Sequence, residues 1–138
     1  MTVLFSDIRD FTALSEKMTP QENFDFLNEY LGRVGPIISS HGGFVDKFVG
    51  DSIMALFSGD ASRAIDAAVA MAHEVRAFSA EREAAGKPVV SAGYGLHSGQ
   101  LMLGIIGSEE HFEATVIADA VNLAARLESL TRQYGATL

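Results

Sequence analysis

Asp7 ends a short β-branched and apolar run, Thr2 to Ser6, and Asp51 sits at the tip of a predicted hairpin, FVDKFVGDSIMALF, from Phe44 to Phe57. The Gly50-Asp51 pair lies between two β-branched and aromatic runs, and tight hairpin turns need the positive φ that such pairs accept. A first strand lying beside that hairpin would bring the two carboxylates together. Converging carboxylates without Cys or paired His ligands favour a hard ion such as Mg²⁺ or Mn²⁺. The chain has no cysteine, and His41, His73, His97 and His111 lack ligand-like spacing. Taken singly, each aspartate is also what a turn or a helix start uses; together, each ending a strand of one small sheet, they point to metal chemistry. Lys47 is a second charge in the hairpin for which a strand has no structural need.

Asn122 and Arg126 are four apart on a predicted helix and project from one face. One reading is an amide that positions a ligand beside a guanidinium that stabilises phosphoryl charge. The other is a solvated helix flank, with Arg126 paired to Glu128 or Glu22. Between Asp7 and Thr12 a strand gives way to a short helical segment, whose first N–H groups are open to an anion. No Gly-rich phosphate loop accompanies it.

Composition narrows the partners. Against 10 Lys and Arg stand 18 Asp and Glu, a net charge of −8. Such a surface argues against nucleic acid and against direct contact with anionic membrane, but leaves a nucleotide open. The absence of cysteine removes disulfides and fits a reducing, cytoplasmic setting. No apolar run approaches the ~20 residues that cross a bilayer, and no signal-peptide pattern opens the chain. The 138 residues suit one domain. Met1 leads straight into a strand and the chain stops at Leu138, so residues 1–138 are expected to be a single domain excised from a longer protein.

The elements that must position these residues follow from periodicity. A strand over Thr2–Ser6 precedes a helix over Pro20–Ser40, capped by Thr19, with Phe24, Leu27, Leu31, Val34 and Ile38 on one face. After the hairpin, a helix over Ala61–Ala84 carries Ile65, Ala68, Ala72 and Val75. Val90, Ala92, Tyr94 and Leu96 alternate as a strand, QLMLGIIG forms another, and residues 107–114 read as a polar loop. A last helix spans Asp119–Gln133 with Leu123, Leu127 and Leu130 on its apolar side. The order β-α-β-β-α-β-β-α is an α+β, ferredoxin-like split βαβ arrangement, an antiparallel sheet with helices on one face. Only the final helix remains to cover the other face.

Three blocks, FSDIRDFTALSE, FVDKFVGDSIMALF and TVIADAVNLAARLE, resemble the signatures of class III nucleotidyl cyclase catalytic domains, and bacterial adenylate cyclases most of all. They cover nearly the whole chain in the family's order. The resemblance implies two divalent metal ions (Mg²⁺ or Mn²⁺) on Asp7 and Asp51. It implies phosphate contacts from the backbone of Ile8 through Thr12, with Phe11 among them. Lys47 and Thr115 would read the base, Asn122 would orient the ribose, and Arg126 would stabilise the transition state. Guanylate cyclases typically carry Glu and Cys at the two base-reading positions, so Lys47 and Thr115 favour ATP; a Lys only donates hydrogen bonds, and adenine N1 accepts.

The family's sites lie between two subunits, so a homodimer with shared sites is implied, with signal-sensing domains elsewhere in the full-length protein. Departures from the family pattern are Asp10 and Ala118, each in place of a Gly, together with His111 and Ala114. The family continues into further strands with a basic residue for the triphosphate, so the fold is expected to be C-terminally truncated and its activity weakened. The alternatives are a guanylate cyclase and a non-catalytic cyclase-like module that binds nucleotide or dimerises; the latter normally loses a metal Asp, the Asn or the Arg. A diguanylate cyclase would show GG-[DE]-E-F at the hairpin tip, where this chain has VGDSI.

Overall fold

The alternating apolar runs become strands of one antiparallel sheet in the computed structural model. It describes every residue except Glu109, Glu110 and Ala118, and leaves out the side chains of Ile106, Ser108 and residues 111–117. β1 (Thr2–Ile8), β2 (Gly43–Val49), β3 (Ser52–Phe57) and β4 (Ala92–Ser98) pair in the order β2-β3-β1-β4. β1 is antiparallel to both neighbours, with Leu4 opposite Ala55 on one side and Leu96 on the other. The sheet and its crossovers are those expected of a split βαβ fold.

Helices cover both faces. α1 (Phe11–Ser15) is a single short turn, and α2 (Pro20–Ser40) and α3 (Ser62–Ala84) are the long crossovers. The Thr19 hydroxyl accepts from the Glu22 N–H at 3.2 Å, and the Glu22 carboxylate accepts from the Thr19 N–H at 2.7 Å, a reciprocal capping box. Against these helices Leu4, Ile8, Ile53, Ala55 and Phe57 form the larger core. Burial of each large aliphatic side chain there stabilises the fold by roughly 1.5–3 kcal/mol. On the opposite face Val3, Met54 and Leu56 pack on Ala120 and Ala124 of α4 (Asp119–Gln133), the helix expected there.

The helical faces differ from the expected stripes. α2 buries Phe26, Tyr30, Val34 and Ile38, while Phe24 is exposed. The early turns are decided by aromatic packing, because the Phe26 ring lies 6.2 Å from that of Phe11 and 5.9 Å from that of Phe78. α3 buries Ala64, Ala67, Ala68, Met71 and Val75 and leaves Ile65 exposed. α4 buries Ala120, Ala124 and Thr131, and it turns Leu123 and Leu130 outward.

Glycine explains that last inversion. A Cβ on Gly95 would overlap the backbone of Glu128 and Ala124, and one on Gly93 would meet the side chains of Glu128 and Thr131 at 2.8 Å. The helix therefore lies directly on β4, at a distance only small residues allow. The predicted loop over 107–114 is also corrected. β5 (Met102–Ser108) and β6 (His111–Ile117) form a hairpin apart from the main sheet, Met102 opposite Ile117. Polar composition suggested a loop, but a hairpin apart from the main sheet tolerates it, and Met102, Leu103 and Ile105 leave both faces of β5 exposed.

Candidate active site

The sheet brings the two aspartates together as expected. Asp7 lies near the end of β1, opposite Gly93, and Asp51 occupies the two-residue turn closed by Val49 and Ser52. Gly50 has φ +62° and no positive φ falls on Asp51, the pattern of a type II′ turn. The Ile8 N–H donates to Asp51 Oδ2 at 3.1 Å, and the Ser52 hydroxyl donates to Asp7 Oδ1 at 2.9 Å. Each carboxylate is thus oriented by a group from the other's strand. Burial, then the hydrogen bond and charge of Asp7, push the Asp51 carboxyl up to about 7. Two acids this close resist ionising together unless a cation joins them. Beneath them, burial pushes the Tyr30 phenol up to about 12, and the charges of Asp51 and Asp7 act the same way.

This donor set fits a hard divalent ion, since both groups are carboxylates fixed by neighbours and neither is tied up in a salt bridge with a Lys or Arg among the described residues. No group of three or more His, Asp or Glu among the described residues forms a complete cage. Mg²⁺ is commonly held this way, by one or two carboxylates plus substrate phosphates.

A cleft of about 490 Å³ opens beside the pair, lined by Asp7, Ile8, Phe11, Thr12, Asp51 and others. The residues expected to face phosphate are therefore assembled with the expected metal ligands. Asp10, where the family pattern has Gly, has φ 54° and ψ 32° and is alone among the described non-glycine residues in positive φ. The position demands a left-handed backbone, which Gly gives freely and Asp tolerates better than most.

Lys47, Asn122 and Arg126 do not line that cleft. Lys47 lies past a bulge in β2, opposite Met54, and so on the α4 side of the sheet, with its ammonium 3.7 Å from Asp46. Asn122 and Arg126 are exposed on α4, where Arg126 borders a shallow groove with Ser129 and Gln133. Glu22 is engaged in the α2 cap rather than with Arg126. Thr115 lies opposite Gly104 by backbone register, and its side chain is outside the described residues, as are those of His111 and Ala114 and the whole of Ala118.

Sequence reasoning missed Arg9, Glu128 and Arg132. The Arg9 guanidinium donates to Thr131 Oγ1 at 3.0 Å and to the Ala136 carbonyl, tying β1 to the end of α4. Burial, then the charge of Asp7, raise the Glu128 carboxyl above its ordinary value, while Arg9 and Arg132 oppose the rise. Arg132 lines the carboxylate cleft, 3.6 Å from Asp10. An i, i+4 reading of Glu128 and Arg132 would have marked a charged face, but not its nearness to Asp7.

Residues 1–135 match the adenylate and guanylate cyclase catalytic domain. The chain belongs to that family. The cyclase domain is 46% identical to an adenylate cyclase of Anabaena cylindrica over all of its own length and 28% of the relative's. It is 42% identical to the terminal-differentiation-specific adenylate cyclase of Dictyostelium discoideum, covering 97% of this chain and 6% of that protein. The domain thus spans about a quarter or less of these relatives. Among solved structures it resembles the adenylyl cyclase CyaB from P. aeruginosa, at TM-score 0.86 and 36% identity over 94% of this chain and 70% of that one. The guanylyl cyclase Cya2 is similarly close, with TM-score 0.85 and 36% identity over 94% and 68% of the two chains.

Proposed function

We propose that this cyclase domain is an adenylate cyclase, converting ATP to 3′,5′-cyclic AMP and pyrophosphate in signal transduction, at sites shared between two copies of the chain. The observation that carries it is the Asp7–Asp51 pair, held by crossed hydrogen bonds at the mouth of a cleft. Divalent ions bound there would supply Lewis acidity to the ribose 3′-oxygen and screen the triphosphate. The 3′-oxygen attacks the α-phosphorus, the bond to the β-phosphate oxygen breaks, and the hydroxyl proton passes to solvent.

The remaining roles fall to other residues. Lys47 donates to adenine N1 and Thr115 completes base selection. Asn122 orients the ribose, and Arg126 takes up charge developing on the α-phosphoryl oxygens. The absence of Lys47, Asn122 and Arg126 from the described lining of the cleft that holds Asp7 and Asp51 supports assembly of each site from two chains. So does the apolar surface on the relevant elements: Phe44, Phe48 and Val49 of β2, Met102, Leu103 and Ile105 of β5, and Leu123 and Leu130 of α4 are exposed. Likeness to Cya2 favours guanylate cyclase as the second reading.

The test is to incubate the chain with ATP or GTP plus Mn²⁺ and measure cyclic nucleotide. Cyclic AMP that disappears in Asp51→Ala and Arg126→Ala supports the reading. Preference for GTP overturns the base assignment to Lys47 and Thr115, and cyclic AMP that survives both substitutions overturns the site.

A further inference from the structure

The cleft beside Asp7 and Asp51 carries carboxylates from Asp7, Asp10, Glu16 and Asp51, and among the described residues the basic side chain that lines it is Arg132. Its guanidinium reaches in from the last turn of α4 and stands 3.6 Å from Asp10. Both partners are largely exposed, 58% for Arg132 and 80% for Asp10, so the pair is solvated and weakly held. A buried structural salt bridge would look different. Asp10, in turn, sits in a left-handed conformation and makes no side-chain cap to α1. Its carboxylate therefore has no local backbone duty and is oriented toward Arg132 instead.

We propose that Arg132 is a polyphosphate-binding residue of this cleft, parked on Asp10 until the triphosphate end of the nucleotide displaces that carboxylate. The inference rests on the cyclase reading and adds to it a cation from the same chain as Asp7 and Asp51. The planar guanidinium fork suits two non-bridging phosphate oxygens at once, and its exchange from one carboxylate to a more highly charged anion is favourable. Asp10 acts as a competitor for the same cation.

Binding of tripolyphosphate with Mg²⁺ to the full chain, followed by calorimetry, tests this without requiring turnover. Arg132→Ala weakens binding by about tenfold, the scale of one charge-assisted hydrogen bond, and Arg132→Lys recovers part of the loss. Asp10→Asn keeps a residue that tolerates the left-handed backbone but frees Arg132, so it tightens binding several-fold. A tether that merely held α1 to α4 would instead make Asp10→Asn and Arg132→Ala move binding in the same direction. Parallel weakening, or no change in either variant, overturns the proposal. If Arg132→Ala leaves KM for ATP unchanged while cyclic AMP is still made, this inference fails and the cyclase reading stands. If the unaltered chain takes up no tripolyphosphate, the cleft is not a polyphosphate site and both fail.

Discussion

Asp51 illustrates how one carboxyl can report on its partner. Its pKa in the folded chain is raised to about 7 by burial and by Asp7, well above the ordinary carboxylate range. The folded state then holds a proton that the unfolded chain has released, so this pair lowers stability as pH rises from about 4 to 7. Thermal unfolding without divalent ions should show a midpoint that falls across that window, and Asp51→Asn should flatten the fall. Divalent ions need both groups ionised, so Mg²⁺ should raise the midpoint more at pH 8 than at pH 6. An equal effect at both pH values would mean that the ion binds elsewhere. At this scale the sequence was informative where chemistry concentrates in residue type. Asp7 and Asp51 could be named because strand ends and turn chemistry place them. Arg9, Glu128 and Arg132 could not, because their meeting depends on how closely α4 approaches β4.

That approach is a property of elements rather than of single side chains. Gly95→Ala would force the α4 backbone off the sheet, since neither the Ala124 carbonyl nor the Glu128 amide can rotate away. The expected cost is about 3 kcal/mol or more, seen as a drop of roughly 10 °C in the unfolding midpoint. Leu123→Ser, on an exposed site, should leave the midpoint of a lone chain within about 2 °C, because surface changes typically stay within ~0.5 kcal/mol. Helix boundaries were legible from caps and breakers: Thr19, Pro20 and Glu22 mark the start of α2, and α4 runs over Asp119–Gln133 as read from the sequence. The buried faces were less so. Leu123 and Leu130 are more apolar than Ala120 and Ala124, yet the alanines are inside, because Gly95 seats the backbone of Ala124 against β4 and Gly99 lies against the Ala120 methyl.

For the molecule as a whole, the arrangement of charges and apolar surface separates two halves of the chemistry. The carboxylate cleft and the exposed Asn122 and Arg126 are different places on one chain. Mixing inactive Asp7→Ala with inactive Arg126→Ala chains should restore cyclic AMP formation through one intact hybrid site. No recovery, with mixed dimers shown to form, would count against sharing. The sheet order was readable from element order alone, because a split βαβ chain has few other ways to bury two long helices. The β5–β6 hairpin was not, since Gly107, Ser108 and residues 111–114 have turn-like polarity yet pair as strands.

The tight seat of α4 has a consequence for mutational tolerance. In a library selected only for soluble folded chain, position 95 should accept little besides glycine, while 123 and 130 accept polar residues freely. Selected instead for cyclic nucleotide output, the same library should purge polar residues at 123 and 130. The positions that change tolerance between the two selections would trace the pairing surface without any structure of the pair.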